Sequence, residues 1–259
     1  MSIFSKVDAG IICLVLLIAM PLLVKLGNKM QKRFWDSEES DTNGGINSLL
    51  GALFGLWAFL FAFSFGQSGA RFENVRSMIV DEANYLRTAI LKADLLPDSI
   101  RNVYREELKK YLEERISYYE YAGDAIKFKA NREEISKTAV TIWATTVALT
   151  KRPDTRAPAV EMVPSLINLF DIGIKREALL GSGIPSPISI MLFILTLAIC
   201  FVGGFTTSVI KRKEWFVISA FALLAVAIFY ITIDLSRPME GLIRPDAGEA
   251  TIVNLRKFF

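Results

Sequence analysis

The chain has 259 residues and a mass of 28.9 kDa, with 52% hydrophobic and 22% charged residues and a mean hydropathy of +0.37. That mixture argues against one ordinary soluble domain and for a protein that lives in two solvents, lipid and water. The net charge of +3, with no basic cluster interleaved with stacking aromatics, argues against nucleic acid as a partner; the absence of histidine removes Ser-His-Asp and Cys-His catalysis and His-ligated metals.

Four stretches have the length and composition of membrane-spanning helices. The first runs from about Ala9 to Leu26, with Pro21 inside it and Cys13 on it. It is longer than the apolar core of a signal peptide, and no small-x-small cleavage site follows, so it is expected to be an anchor. The second, Ile46 to Gly66, carries no charge. A third covers about Ile188 to Val209, including Cys200, and a fourth Trp215 to Ile233. Each has 18 to 22 residues, roughly 27–33 Å at 1.5 Å per residue, which matches a hydrocarbon core of about 30 Å. Two cysteines within apolar runs support neither a disulfide framework nor a metal site.

Between the second and third spans the chain changes character. Arg71 to Leu95 has no Pro or Gly and reads as helix, continuing the second span. Leu96-Pro97-Asp98 is a breaker followed by an N-cap. From Ser99 to about Tyr121, Ile100, Val103, Tyr104, Leu108, Tyr111, Leu112 and Ile116 recur at helical spacing. Arg132 to Thr150 is a further helix, Lys151 to Pro158 a loop, and Val160 to Leu180 a more apolar segment. The fold class expected is all-α: a polytopic membrane protein with four transmembrane helices and a helical extramembrane domain. Its divisions are residues 1–66, 67–186, 187–234 and a C-terminal segment 235–259. Basic residues flank the spans on both sides almost equally, so charge leaves the orientation open.

Angular sorting of the second span separates three faces. Ser48, Gly51, Gly55, Ala58, Ala62, Gly66 and Gly69 form a small-residue stripe that lets another helix approach closely. Leu50, Phe54, Trp57, Phe61, Phe65 and Phe72 form an aromatic edge beside it. Leu49, Leu53, Leu56, Leu60 and Phe63 suit lipid. Two readings of the aromatic edge are open. The rings fill gaps between helices of one subunit, or several subunits turn them toward a shared axis as an apolar constriction.

Beyond this span, Arg71, Arg76, Asp81, Glu82 and Asn84 are candidate charges of a vestibule, with pairs such as Glu73 and Arg76 as ordinary i,i+3 partners in the plainer reading. Asp234 at the lip of the fourth span is expected to pair with Arg237, while Pro238 and Gly241 turn the chain back. Glu106-Glu107 and Glu113-Glu114 read as a solvated helix face, and Gly203-Gly204 as a close-packing site. No catalytic set, metal site or cofactor site is apparent, and an enzyme is not expected.

Leu60 to Asp98, LFAFSFGQSGARFENVRSMIVDEANYLRTAILKADLLPD, resembles the hallmark stretch of the bacterial bestrophin-like domain family. Ile233 to Arg244, IDLSRPMEGLIR, is similar to that family's D-x-x-R-P-x-x-G-x-x-R segment, which Arg244 closes. Lys175-Arg176-Glu177-Ala178 and Ile184-Pro185 also fit. The resemblance covers nearly the whole chain. It implies kinship with bestrophins, pentameric anion channels whose second helix lines a neck with bulky residues at i, i+4 and i+8; Trp57, Phe61 and Phe65 repeat that spacing. It implies a bacterial inner-membrane location. Bestrophins also carry an acidic calcium clasp after the last span. Here Asp234, Glu240, Asp246 and Glu249 are scattered, too sparse for the six to eight oxygens calcium takes.

The function expected is a homo-oligomeric ion channel in the cell membrane, in contact with lipid and permeant ions. Leu50, Phe54, Trp57, Phe61 and Phe65 would form its neck. The alternative is a non-conducting membrane scaffold or sensor whose helical domain docks a partner.

Overall fold

The computed structural model describes residues 8–34, 43–121, 124–181, 186–207, 212–239 and 241–259. Among them the order is α1 (Ala9–Phe34), α2 (Asn43–Ala93), α3 (Asp98–Glu120), α4 (Ala125–Thr150), α5 (Arg156–Gly181), α6 (Ser186–Phe205), α7 (Arg212–Leu235), α8 (Asp246–Val253) and a 3-10 turn, Asn254–Phe258. The described residues are all-helical in their regular structure, as the absence of any period-two pattern leads one to expect. The chain divides into two units, residues 1–71 with 183–236 and residues 72–182 with 237–259, and the first crossing falls inside α2.

Several helices exceed their apolar stretches, because backbone hydrogen bonding does not stop where hydropathy does. α1 continues to Phe34 through Lys29, Lys32 and Arg33, and passes through Pro21; neighbouring helices allow a proline inside a membrane helix. α2 is unbroken for 51 residues. α4 starts seven positions before the expected Arg132, because Asp124 caps it: the carboxylate accepts from the backbone N–H of Ile126 and Lys127, both at 3.1 Å. That first turn, Ala125 to Phe128, leaves Ile126 exposed and so does not extend the buried stripe that periodicity follows. At α3, Pro97 and not Asp98 occupies the cap position. α5 begins at Arg156, inside the expected loop, with Pro158 in its first turn where a missing N–H costs nothing. Ile184-Pro185 and Glu240 lie outside the described residues.

In the first unit α1 lies along α6 and α7. The crossing with α6 is close enough that a Cβ on Gly204 would overlap the Val24 backbone, and one on Gly27 would overlap the Phe201 carbonyl. Gly204 is thus a close-packing glycine as expected, whereas Gly203 has nothing within 4 Å of an added Cβ. The Asn28 amide donates to the Thr207 carbonyl beside the same crossing. Leu16 and Met20 of α1, Leu192 and Cys200 of α6, and Ala225 and Phe229 of α7 form the core, which Phe61 of α2 joins.

In the second unit α4 packs between α3 and α5, while α8 and the 3-10 turn lie on α3. Ile79, Leu86 and Ile90 of α2 meet Tyr104, Leu108 and Leu112 of α3, Ile142 of α4, Leu166 and Leu169 of α5, and Leu255. On the acidic face of α3, Glu106 is exposed and Glu113 keeps much of its side chain in solvent, whereas Glu107 and Glu114 are partly buried. Thr138 of α4 donates to Glu114 at 2.9 Å, and burial raises the Glu107 carboxyl against a hydrogen bond from Thr145. The threonines Thr138, Thr145 and Thr146 bring hydroxyls to this interface, a pairing that only the docking of α4 creates. The buried Tyr104 hydroxyl lies 2.6 Å from that of Thr146, and burial pushes it up to about 12.

Candidate functional site

Within the first unit, α2 turns one side inward. Trp57 donates its indole N–H to the Thr196 hydroxyl of α6 at 2.8 Å, and Thr196 donates onward to the Leu192 carbonyl at 2.7 Å. The Trp57 ring lies 4.9 Å from Phe61 and 5.6 Å from Phe221 of α7, and Phe61 lies 5.6 Å from Phe229. Phe54 meets Phe221 edge-on at 5.6 Å. Phe61 is 4% exposed, while Phe54 and Phe65 are 36% and 43% exposed and Leu50 is half-buried. The five residues of the expected neck therefore do not share one open face in the protomer. Three of them, Phe54, Trp57 and Phe61, meet the aromatics of α7.

The opposite side of α2 is open. Gly51, Gly55, Gly66 and Gly69 have nothing within 4 Å of an added Cβ. Ala58 and Ala62 lie between them and are exposed. Phe59 and Phe63 flank the stripe on one edge, 67% and 50% exposed, and Phe54 and Phe65 on the other. The wet-or-dry identity of this face cannot come from hydropathy, since every residue on it is apolar or small.

Within the second unit the charges of α2 separate sharply. Asp81 and Asn84 are exposed, and Arg76 makes an i,i+3 pair with Glu73 at 3.4 Å. Arg71, at the end of the first unit, is half-buried. Glu82 is not a solvent-facing charge: it is 1% exposed and sits between two buried arginines. Arg115 of α3 grips it with Nε on one oxygen and Nη2 on the other, the latter at 2.9 Å. Arg176 of α5 donates from Nη1 to the same carboxylate and to the Tyr119 hydroxyl. Tyr118 offers its ring to both cations, 4.9 Å from Arg115 and 5.0 Å from Arg176. Glu177 completes the group, 4.0 Å from Arg115, and is bonded to Arg132 at 2.6 and 3.1 Å. Burial opposes both charges. Glu82 nevertheless holds Arg115 protonated, above its ordinary range. The one-residue offset between Asp81 and Glu82 on a helix decides which of them faces in.

Sequence reasoning treated Arg176 and Glu177 as family markers only. The signal available was the Lys175-Arg176-Glu177-Ala178 match; nothing local showed that Arg176 meets Glu82 across the domain. Past α7, Asp234 and Pro238 are buried. Gly241 donates its N–H to the Arg237 carbonyl at 3.0 Å, and Arg244 reaches the Gly241 carbonyl at 3.4 Å. This is a turn made with ordinary backbone angles, since the described glycines have none of positive φ.

The sequence pattern of the bestrophin-like domain matches residues 17–244. The chain belongs to the bestrophin-like domain family. The fold agrees: a crystal structure of a bacterial bestrophin homologue from Klebsiella pneumoniae superposes with a TM-score of 0.68 at 13% identity, covering 97% of this bestrophin-like chain and 98% of the homologue. A single-substitution variant of that homologue gives 0.69 at 13% identity over 96% and 97%. A further structure, described as a membrane protein variant, gives 0.67 at 12% identity over 96% and 99%. At such identities the likeness is one of fold. No curated protein sequence matches the chain. Among the described residues, five helices of this bestrophin-like chain are long and apolar enough to cross a membrane: α1, α2, α5, α6 and α7.

Proposed function

We propose that this bestrophin-like chain is one subunit of a homo-oligomeric ion channel of the bacterial cell membrane, with α2 lining the pore. The observation that carries the reading is the two-sidedness of α2. One side is packed onto α6 and α7 through Trp57 and Phe61, and on the other Gly51, Gly55 and Gly66 have no close neighbour among the described residues while Ala58 and Ala62 are exposed. A small-residue stripe suits close approach of copies around an axis, because packing and not hydrophobicity drives association in lipid. The exposed rings Phe59 and Phe63, with Phe54 and Phe65 on the other flank, form the apolar neck, and Leu50, Trp57 and Phe61 stand behind it as its supporting wall.

Four helices cross the membrane in this reading. α5, the least apolar of the five, carries Asp171, Lys175, Arg176 and Glu177, and its Arg176 is committed to the buried pair with Glu82. It belongs with the extramembrane domain of residues 67–186. The exposed Arg76, Asp81 and Asn84, together with Arg71, supply the charge of a vestibule. The turn from Asp234 to Arg244 joins the last span to the C-terminal segment. Five subunits are proposed by kinship with bestrophins.

Purified full-length protein reconstituted in planar bilayers tests the reading. It should show single-channel currents that increase in Phe59→Ala and Phe65→Ala. Silence across several ions and pH values, with a monomeric mass in detergent, would replace the channel by a membrane scaffold.

A further inference from the structure

A cavity of about 410 Å³ opens in the second unit between α3, α4 and α5, away from α2. One part of its wall is apolar, with Phe170, Ile135, Ile174 and Ala139, and the rest carries Arg115, Arg132, Lys129, Glu133 and Glu177. Two hydrogen-bond donors stand on one wall. Tyr111 is 2% exposed, and its hydroxyl has no hydrogen-bond partner among the described residues. Arg115 donates one N–H of Nη2 to Glu82 and holds Nε in an ion pair with the same carboxylate, and its Nη1 lies 4.0 Å from Glu177, beyond hydrogen-bond reach. Arg115 also lines the cavity. Gly173 of α5 lies across from both: a Cβ there would sit 4.0 Å from the Tyr111 hydroxyl and from Arg115 Nη2. Glycine within a helix is costly, and here it leaves the space in front of two donors open.

We infer that this cavity binds a small organic monocarboxylate, whose carboxylate meets the Tyr111 hydroxyl and the Arg115 guanidinium while its apolar body lies against Phe170, Ile135 and Ile174. A carboxylate accepts from a hydroxyl and a guanidinium at once, and hydrogen bonds between charged partners are the stronger kind. Burial pushes Tyr111 far up, so the phenol stays a neutral donor. The charges around the cavity select one negative charge. Its charged lining residues are three cations, Arg115, Arg132 and Lys129, and two carboxylates, Glu133 and Glu177, one cation in excess. A phosphate dianion would exceed that balance, and a halide would leave the apolar part of the wall unused.

Benzoate is the probe, titrated calorimetrically into the full chain in detergent with a chloride-free buffer. Benzamide is its neutral counterpart, and inorganic phosphate the competing anion. One benzoate per chain should bind with a Kd below about 1 mM, and benzamide at least about tenfold more weakly. Tyr111→Phe, a substitution that keeps the ring, should weaken benzoate by about tenfold. Gly173→Leu, which fills the cavity, should abolish binding in protein whose circular dichroism is unchanged. Equal affinity for benzamide would overturn the inference, as would tighter binding of phosphate, undiminished benzoate binding in both variants, or no heat with benzoate at concentrations near 10 mM, roughly tenfold above the expected Kd.

Discussion

Arg176 and Glu82, 94 positions apart, form an ion pair from which solvent is withdrawn on both sides, with side-chain exposures of 0% and 1%. A second guanidinium, Arg115, holds the same carboxylate. The group ties α2, α3 and α5 together in the second unit, and removing its one central anion would leave two cations facing each other in a medium that screens them poorly.

Glu82→Gln should therefore destabilise the protein by about 3–5 kcal/mol, the cost typical of breaking a buried pair from one side. Asp81→Asn, one residue away but exposed, should change stability by less than about 0.5 kcal/mol. Denaturant or thermal unfolding of the full chain, followed by circular dichroism, separates the two. Equal effects would mean that Glu82 is not buried as described.

Gly204→Ala puts a methyl group into the Val24 backbone, so α1 and α6 must move apart. A loss of about 1–3 kcal/mol is expected, read as a lower melting temperature in detergent. Gly203→Ala, the neighbouring position with open space around it, should leave the melt unchanged or slightly raise it. A reversed order would place the helix crossing elsewhere.

Phe61→Ala opens a hole against Phe229 and Trp57. The cost expected is about 2–3 kcal/mol, toward the low end for a phenylalanine, since packing and not transfer from water is what lipid-embedded rings lose. Phe59→Ala, at 67% exposure in the protomer, should leave the stability of a dissociated subunit nearly intact. Trp57→Phe removes the hydrogen bond to Thr196 and should cost about 0.6–1 kcal/mol. Melting curves of the three variants at one detergent concentration give the ranking.

The C-terminal turn is held to α3 by Arg256, which donates to both oxygens of Glu113, at 2.9 Å from Nε and 2.6 Å from Nη2. The hydrogen bonds from Arg256 lower the Glu113 carboxyl below its ordinary value. A depressed carboxylate stabilises the fold above its unfolded value, near about 4.3, and that contribution disappears as pH falls through the folded value. Because the pair is exposed to solvent, the effect is small: Glu113→Gln should melt no more than about 2 °C below the parent at pH 7. The gap should close as pH drops below about 4. A gap that persists in acid would assign the difference to packing.

Sequence by itself determined what depends on neighbouring residues along the chain. The apolar lengths of α1, α2, α6 and α7, the helical period of α3, the breaker at Pro97 and the motifs from Leu60 to Asp98 and Ile233 to Arg244 are local patterns, and the all-helical fold and the family follow from them. The tertiary structure decided which way each face points. The aromatic edge and the small-residue stripe of α2 are both apolar, so hydropathy does not distinguish them; Phe221 and Phe229 of α7 do, by meeting Phe54, Trp57 and Phe61. Asp81 and Glu82 are adjacent carboxylates of nearly equal chemistry, and the arrival of Arg115 and Arg176 from distant helices is what buries one and leaves the other in water.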